Sequence, residues 1–181
     1  MVQFYDAFIS YGRADSKDFA TRLYERLTAQ GYGVWFDQND IPLGVDYQQE
    51  IDGGLERSHN FIFIMAPHSV NSPYCGLEIE RAVLRNKRII PLLHVDELPR
   101  ATWQQRNPQG TDEAWAAYQA QKLHFGDVRN PRIHPLLGKI NWVYGREGVD
   151  DVEAAFAGIV SIIERHKDYL RLFLLLLNSI Q

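Results

Sequence analysis

Cysteine occurs once in this 181-residue chain, at Cys75, so no internal disulfide framework exists and a reducing compartment suits it. The same count excludes paired-cysteine zinc motifs, and the six histidines (59, 68, 94, 124, 134 and 166) show no metal-ligand spacing. Neither a G-x-G-x-x-G turn nor a Walker loop is present, which argues against a Rossmann dehydrogenase and an NTPase. Positive charge is not in excess: the net charge is −4, so a nucleic-acid partner is not expected. Long apolar runs are missing too. The longest, Leu172 to Leu177, falls far short of the roughly 18 residues that span a bilayer, and Met1 to Asp6 has no signal-peptide character. These absences lead to the expectation of a cytoplasmic protein with no membrane span.

What is present is ordinary globular material, 45% hydrophobic and 23% charged, with room for one domain and a sizeable core. Phe4 to Ser10 is an apolar run broken only by Asp6, the pattern of a buried strand. Asp15 or Ser16 is placed to cap a helix reaching about Gln30, with Phe19, Leu23, Tyr24 and Leu27 on one stripe, and Gly31 stops it. Gly33 to Phe36 reads as a second strand. Asp37 to Gly44 reads as a loop, followed by a helix from about Asp46 to Ser58. Asn60 to Met65 has the continuous apolarity of a central strand. Ser72-Pro73 is a helix start, serine at the cap and proline at the first helical position, and that helix runs to about Asn86. Arg88 to Leu93 supplies the fourth strand. Four strands alternate with the three helices between them, which implies a parallel sheet with helices on both faces.

Between Leu98 and Gly138 the pattern weakens, with one helix expected from Thr111 to Lys122. Lys139 to Val143 reads as a fifth strand, and Asp150 or Asp151 starts a final helix carrying Val152, Phe156, Ile159, Val160 and Ile163 at helical spacing. Tyr169 to Ile180 is apolar nearly all round and wants burial. Two readings stay open, a terminal helix docked on the domain and a self-association surface. The chain therefore divides into a domain of residues 1–167 and a hydrophobic tail of 168–181.

Parallel α/β sheets bind ligands beyond the carboxyl ends of their strands. Here those ends are Ser10-Tyr11-Gly12-Arg13, Phe36-Asp37, Ala66-Pro67-His68 and Leu93-His94, and the helix starting at Ser72 brings Tyr74 and Glu78 to the same rim. On that helix Glu78 shares a face with Tyr74 and Ala82, while Glu80 points elsewhere. A solvated Glu78 paired with Arg81 or Arg85 is the alternative to a working carboxylate. Cys75 near a helix start admits either a lowered thiol pKa or a small packing residue.

Three of these segments carry a family resemblance. Phe4-Tyr5-Asp6-Ala7-Phe8-Ile9-Ser10-Tyr11 with Asp15, Gly31 to Asp37 followed by Ile41-Pro42-Leu43-Gly44, and Ser72 to Glu80 together resemble Toll/interleukin-1 receptor (TIR) domains, in particular bacterial, cyanobacterial-type members that cleave NAD. The resemblance covers about residues 4–95 well and extends more faintly to about 166. It implies a flavodoxin-like three-layer fold with a five-stranded parallel sheet in the order 2-1-3-4-5. It also implies hydrolysis or cyclisation at the nicotinamide–ribose bond, with NAD+ as substrate, no cofactor, self-association through TIR–TIR contacts, and a place in immune, anti-phage signalling.

Glycosidases ordinarily use two carboxylates, one to protonate the leaving oxygen. Nicotinamide in NAD+ leaves as a neutral base, so one carboxylate beside the ribose suffices to stabilise an oxocarbenium-like ring. The resemblance gives that role to Glu78. Around it, Ser10, Tyr11 and Tyr74 are expected to line the substrate site. Arg13 is expected to meet phosphate, or to be a solvated loop arginine, and Asp37 to bind a ribose hydroxyl, or to hold its turn. Gly44 belongs to a loop expected to close over ligand or neighbour. Tyr47 is expected to stack on a base, or to pack on its helix face. A non-catalytic TIR adaptor is the rival reading. A phosphate-receiver domain of the same fold is excluded, because the third strand ends Met65-Ala66-Pro67 without the phosphoacceptor aspartate.

Overall fold

The computed structural model describes residues 3–37, 47–96, 99–120 and 134–179. In chain order the elements are β1 (Tyr5–Ser10), α1 (Arg13–Ala29), β2 (Val34–Trp35), α2 (Tyr47–Glu56), β3 (Ser58–Met65), α3 (Pro67–Asn71), α4 (Pro73–Leu84), β4 (Arg88–Leu93), α5 (Arg100–Arg106), α6 (Asp112–Ala120), a 3-10 turn (Pro135–Lys139), β5 (Val143–Tyr144) and α7 (Val152–Asn178). The five strands form one parallel sheet in the order β2-β1-β3-β4-β5, as expected from the sequence. Ile9 lies beside Ile62 and Ile62 beside Ile90, so the apolar rows line up across the middle of the sheet.

The period of two along β3 builds both layers of core. Ile62 and Ile64 join Ala7, Ile9, Ile90 and Leu92 under α1 and α7, through Phe19, Leu23, Leu27, Phe156 and Ile159. Phe61, Phe63 and Met65 face the other way and join Phe8 and Trp35 under α2 and α4, through Ile51, Leu55, Cys75, Ile79 and Ala82. Ser58 and Asn60 are buried polar residues at the start of β3. Their side chains donate to the carbonyls of Gly54 (2.7 Å) and Asp6 (2.7 Å), so neither is left without a partner.

Several boundaries differ from the sequence expectation. The cap of α1 is Gly12, with no side-chain bond, rather than Asp15 or Ser16. Asp15 is engaged elsewhere: its carboxylate accepts from the His68 N–H (2.7 Å) and the Ser16 hydroxyl (3.1 Å), tying the β1 and β3 exits together. Short α3 has no counterpart in the sequence expectation; Pro67 starts it, and the Ser69 hydroxyl donates to Ile64 O (2.7 Å). Ser72 does cap α4, accepting from the Cys75 N–H, and Asn86 in the left-handed region (φ 53) follows its end.

Helix α5 is likewise an addition to the expected elements, and the helix expected from Thr111 appears as α6. The fifth strand is not Lys139 to Val143 but Val143–Tyr144. Pro135 starts a 3-10 turn that buries Leu137 against the α2/α4 layer, and Trp142 Nε1 donates to Leu137 O (2.7 Å). Asp151 caps α7 by accepting from the Ala154 N–H (3.0 Å). That helix continues unbroken through residues 167 and 168. From Arg171 onward every described side chain is exposed, so that part of the helix does not dock on its own domain.

One close approach fixes how α2 lies on the sheet. A Cβ on Gly54 would sit 2.3 Å from the Trp35 ring, and Trp35 is 1% exposed and stacked on Phe8 at 4.5 Å. The indole has nowhere to move. Gly54→Ala is therefore expected to destabilise the fold by about 1–3 kcal/mol, the cost of overpacking a filled core, read as a lower midpoint in urea at unchanged slope. A midpoint equal to wild type would show that α2 rides on a softer layer than this packing implies.

Candidate active site

The carboxyl ends of β1 and β2 and the first turns of α3 and α4 enclose a cavity of about 350 Å3. Ser10, Tyr11 and Arg13 reach it from β1 and its exit, Asp37 from the end of β2, and Tyr74 and Glu78 from α4. These six of the eight residues singled out from the sequence share one pocket. Gly44 lies outside the described residues, and Tyr47 is the first residue of α2, with its side chain outside them. The turn out of β1 packs tightly against α3, since a Cβ on Gly12 would meet the Ser69 nitrogen at 2.7 Å and His68 Cβ at 2.9 Å. This is where a glycine is required.

Glu78 is held by one strong contact. The Ser10 hydroxyl, 2% exposed, donates to Glu78 Oε2 at 2.6 Å. The surface-pair alternative fails, because Arg81 pairs with Asp52 and Arg85 with Glu56 (2.5 Å), leaving both arginines on α2. Removal from water is the main influence on Glu78 and pushes its pKa from 4.5 up to about 7. The Ser10 hydrogen bond and the Arg13 charge oppose that rise, and the Asp37 charge adds to it. Glu80, two positions on, is exposed. Ala82, which shares the helix face of Glu78, is fully buried in the α2/α4 core and does not line the pocket.

Asp37 organises the opposite wall. It accepts from the Tyr11 hydroxyl at 2.8 Å and from Arg13 Nη2 at 2.6 Å, so the chain's own cation and phenol converge on one carboxylate. Arg13 keeps 58% of its side chain exposed while Asp37 keeps 11%, which leaves the guanidinium accessible at the mouth. Tyr74, 68% exposed, stands at the rim. Cys75 is a packing residue: its buried thiol donates to Tyr11 O at 3.5 Å, and burial pushes its pKa up to about 12, away from nucleophilic use.

Trp35, Ile51 and His68 also line the cavity. The strand-end rule points to His68, whereas Trp35 and Ile51 look like core residues in the sequence and are both core and floor. His94 is different. It ends β4 yet stacks on Phe19 at 4.0 Å and meets Ser16 Oγ at 3.1 Å, under α1 and away from the pocket. Among the described residues no group of three or more histidine, cysteine or acidic side chains is placed to hold a metal ion.

A sheet-edge pocket with one enclosed carboxylate, a hydroxyl to fix it and an arginine at the mouth suits a ligand that carries anionic groups outside and develops positive charge within. The domain type is established by comparison: the TIR domain family model matches residues 7–124, and the chain belongs to that family.

Over 94 residues it is 31% identical to the 2' cyclic ADP-D-ribose synthase AbTIR of Acinetobacter baumannii, covering 50% of this chain and 35% of that protein. It is 32% identical over 94 residues to the 2' cyclic ADP-D-ribose synthase BtTIR of Bacteroides thetaiotaomicron, covering 50% and 33%. The NAD(+) hydrolase TcpC of Escherichia coli is 28% identical over 95 residues, covering 50% and 31%. The chain spans about a third of the length of these relatives. Among solved structures, the TIR domains of the activated Roq1 resistosome superpose with a TM-score of 0.60 at 15% identity, over 88% of this chain and 99% of that one, which supports the fold.

The raised pKa of Glu78 has a consequence for stability. Its folded-state value lies above the ordinary one, so ionisation costs stability. The cost is absent below about pH 4.5, grows as pH rises to about 7, and is constant above that. Glu78→Gln stays neutral throughout. It is expected to melt several degrees above wild type near pH 8.5 and close to it near pH 5. An equal difference in melting temperature at both pH values would show that the carboxylate is not enclosed as described.

Proposed function

We propose that this TIR domain cleaves the nicotinamide–ribose bond of NAD+, as a hydrolase or an ADP-ribosyl cyclase, with Glu78 as the catalytic carboxylate. The single observation that carries this reading is the Ser10–Glu78 contact inside the sheet-edge pocket. It supports the reading because it leaves one desolvated carboxylate lining the cavity, and the matched relatives are named for this chemistry. NAD+ is substrate, and no cofactor enters the reading. The bond from ribose C1′ to the pyridinium nitrogen breaks with its electron pair going to nicotinamide, which leaves neutral and needs no acid. Glu78 as the anion offsets the charge that develops on the ribose, more strongly in a water-poor pocket than in bulk solvent. Water, or a hydroxyl of the same ADP-ribose, then takes the open carbon and gives up a proton.

In this reading Ser10 positions Glu78 rather than touching substrate, a change from its expected binding role. Arg13 receives the pyrophosphate once Asp37 yields it, and Tyr11 and Tyr74 bound the rings. We also assign the protein to cytoplasmic immune, anti-phage signalling, with activity gated by self-association. The support for gating is the exposed apolar end of α7.

Glu78→Gln is expected to lose about 100-fold or more in turnover with folding intact, the size of effect seen when one preorganised electrostatic group is removed. Glu80→Gln is expected to stay active. Because the anion is the working form, wild-type activity is expected to rise with pH through a limb near 7. Asp37→Asn removes the charge that pushes Glu78 up and releases Arg13, which pushes it down, so the limb moves to lower pH whatever happens to its height. Nicotinamide release measured by chromatography across pH reads both variants. Wild-type activity in Glu78→Gln, or no release from the wild-type chain at any concentration, overturns the assignment and leaves the adaptor reading.

A further inference from the structure

The charges of the pocket do not match a dinucleotide through Arg13 alone. Among the described residues its walls carry two acids, Asp37 and Glu78, and two basic side chains, Arg13 and His68. Arg13 is already paired with Asp37 at 2.6 Å. NAD+ brings a positive pyridinium ring and two negative phosphates. With the ring end at ionised Glu78, the phosphates meet one guanidinium that is shared with a carboxylate. The repulsion of that carboxylate offsets much of the guanidinium's attraction.

His68 is the basic side chain that remains. The other described histidines are engaged: His59 stacks on Phe4, His94 on Phe19, the His134 ring accepts from the Leu136 N–H, and the His166 ring meets Asn60. Among the described residues the His68 ring has no hydrogen bond, ion pair or ring contact, and the residue is exposed. Its mounting is nonetheless firm. Pro67 fixes φ at the start of α3, and the His68 N–H donates to the Asp15 carboxylate at 2.7 Å. The His68 Cβ lies 2.9 Å from where a Cβ on Gly12 would be, so its stem stands against the residue that precedes Arg13. The exits of β1 and β3 thus bring a guanidinium and an imidazole to one cavity.

We propose that His68 determines specificity in this pocket: its ring N–H donates to the pyrophosphate of NAD+ and, with Arg13, selects the dinucleotide over nicotinamide riboside, which lacks phosphate. The inference rests on the NAD+ reading of the site. An imidazole offers an N–H donor in either protonation state, and a protonated one bonds phosphate more strongly. The contact lies away from the bond that breaks, so it holds the substrate in place while Glu78 acts on the ribose.

Two substitutions test this, and the backbone bond from residue 68 to Asp15 survives both. In His68→Ala, kcat/KM for NAD+ relative to that for nicotinamide riboside is expected to fall about 10-fold or more, the usual size for a lost hydrogen bond to a charged group. The loss is expected in KM, as for a contact made equally in ground and transition states. His68→Lys keeps a donor and a positive charge and is expected to restore the preference for NAD+. A second measurement needs no turnover: calorimetry with ADP-ribose is expected to show about 10-fold weaker binding to His68→Ala than to wild type. An unchanged preference together with unchanged ADP-ribose affinity in His68→Ala overturns the inference. An equal fall in kcat for both substrates also overturns it, since His68 would then take the proton of the attacking water instead. So does a His68→Lys chain as unselective as His68→Ala. ADP-ribose binding that depends on His68, in a wild-type chain that releases no nicotinamide, upholds the phosphate contact and removes the catalytic reading alone.

Discussion

The two-sided burial of β3 is the constraint from which the rest of the structure follows. Asn60 through Met65 pass between two layers of helix with almost no surface left, and their alternation assigns Phe61, Phe63 and Met65 to one layer and Ile62 and Ile64 to the other. A strand covered on both faces leaves the sheet open only along its edges and at its two ends. Both neighbours of β3 run parallel to it, so their exits gather at one end. The serine, tyrosine, arginine and aspartate of the pocket lie at or just beyond strand exits at that end, Ser10 and Tyr11 buried and Arg13 largely exposed.

Enclosing Glu78 at that end opposes folding at neutral pH and favours chemistry. A carboxylate with a pKa near 7 is more basic and less solvated than one in water, and the same desolvation that opposes its ionisation strengthens its interaction with a neighbouring cation. Ser10 limits the cost by giving the carboxylate one short hydrogen bond from a buried hydroxyl. The opposite wall is organised by a second acid, Asp37, which is satisfied by Tyr11 and Arg13.

How much of this the sequence displays varies with the physics of each part. The four strands with their intervening helices and the Ser72–Pro73 helix start are local signals reinforced by burial, and they appear in the structure almost as read; the strand order is legible only through the family resemblance. Six of the pocket's lining residues are accessible to the strand-end rule and to the family resemblance, since both point to the strand exits and the helix start whose position the sheet determines. The cap of α1 departs from its local signal because Asp15 has the right chemistry for its own helix but gives its carboxylate to the His68 N–H, a partner 53 residues away. The fifth strand is displaced for a similar reason: the burial of Leu137 under α2 and α4 converts the expected strand start into a 3-10 turn. The bond from Ser10 to Glu78 is invisible in the sequence because the two lie 68 residues apart and only the fold joins them. Trp35 hides in the core pattern because one indole serves as both core and pocket floor.

The ion pairs between α2 and α4 set a mechanical property of the pocket. Asp52 meets Arg81 and Glu56 meets Arg85, so each helix contributes residues four apart, and the two helices run in the same sense. Exposed pairs of this kind add little to stability. Two rungs at one helical pitch behave instead as a vernier. A slide of α2 by one turn, about 5.4 Å, breaks both rungs and lets one re-form with exchanged partners, and a slide by half a turn leaves none. The helix that carries Glu78 is thereby indexed in whole turns against the helix that follows β2, and its carboxylate keeps a fixed height above the pocket floor.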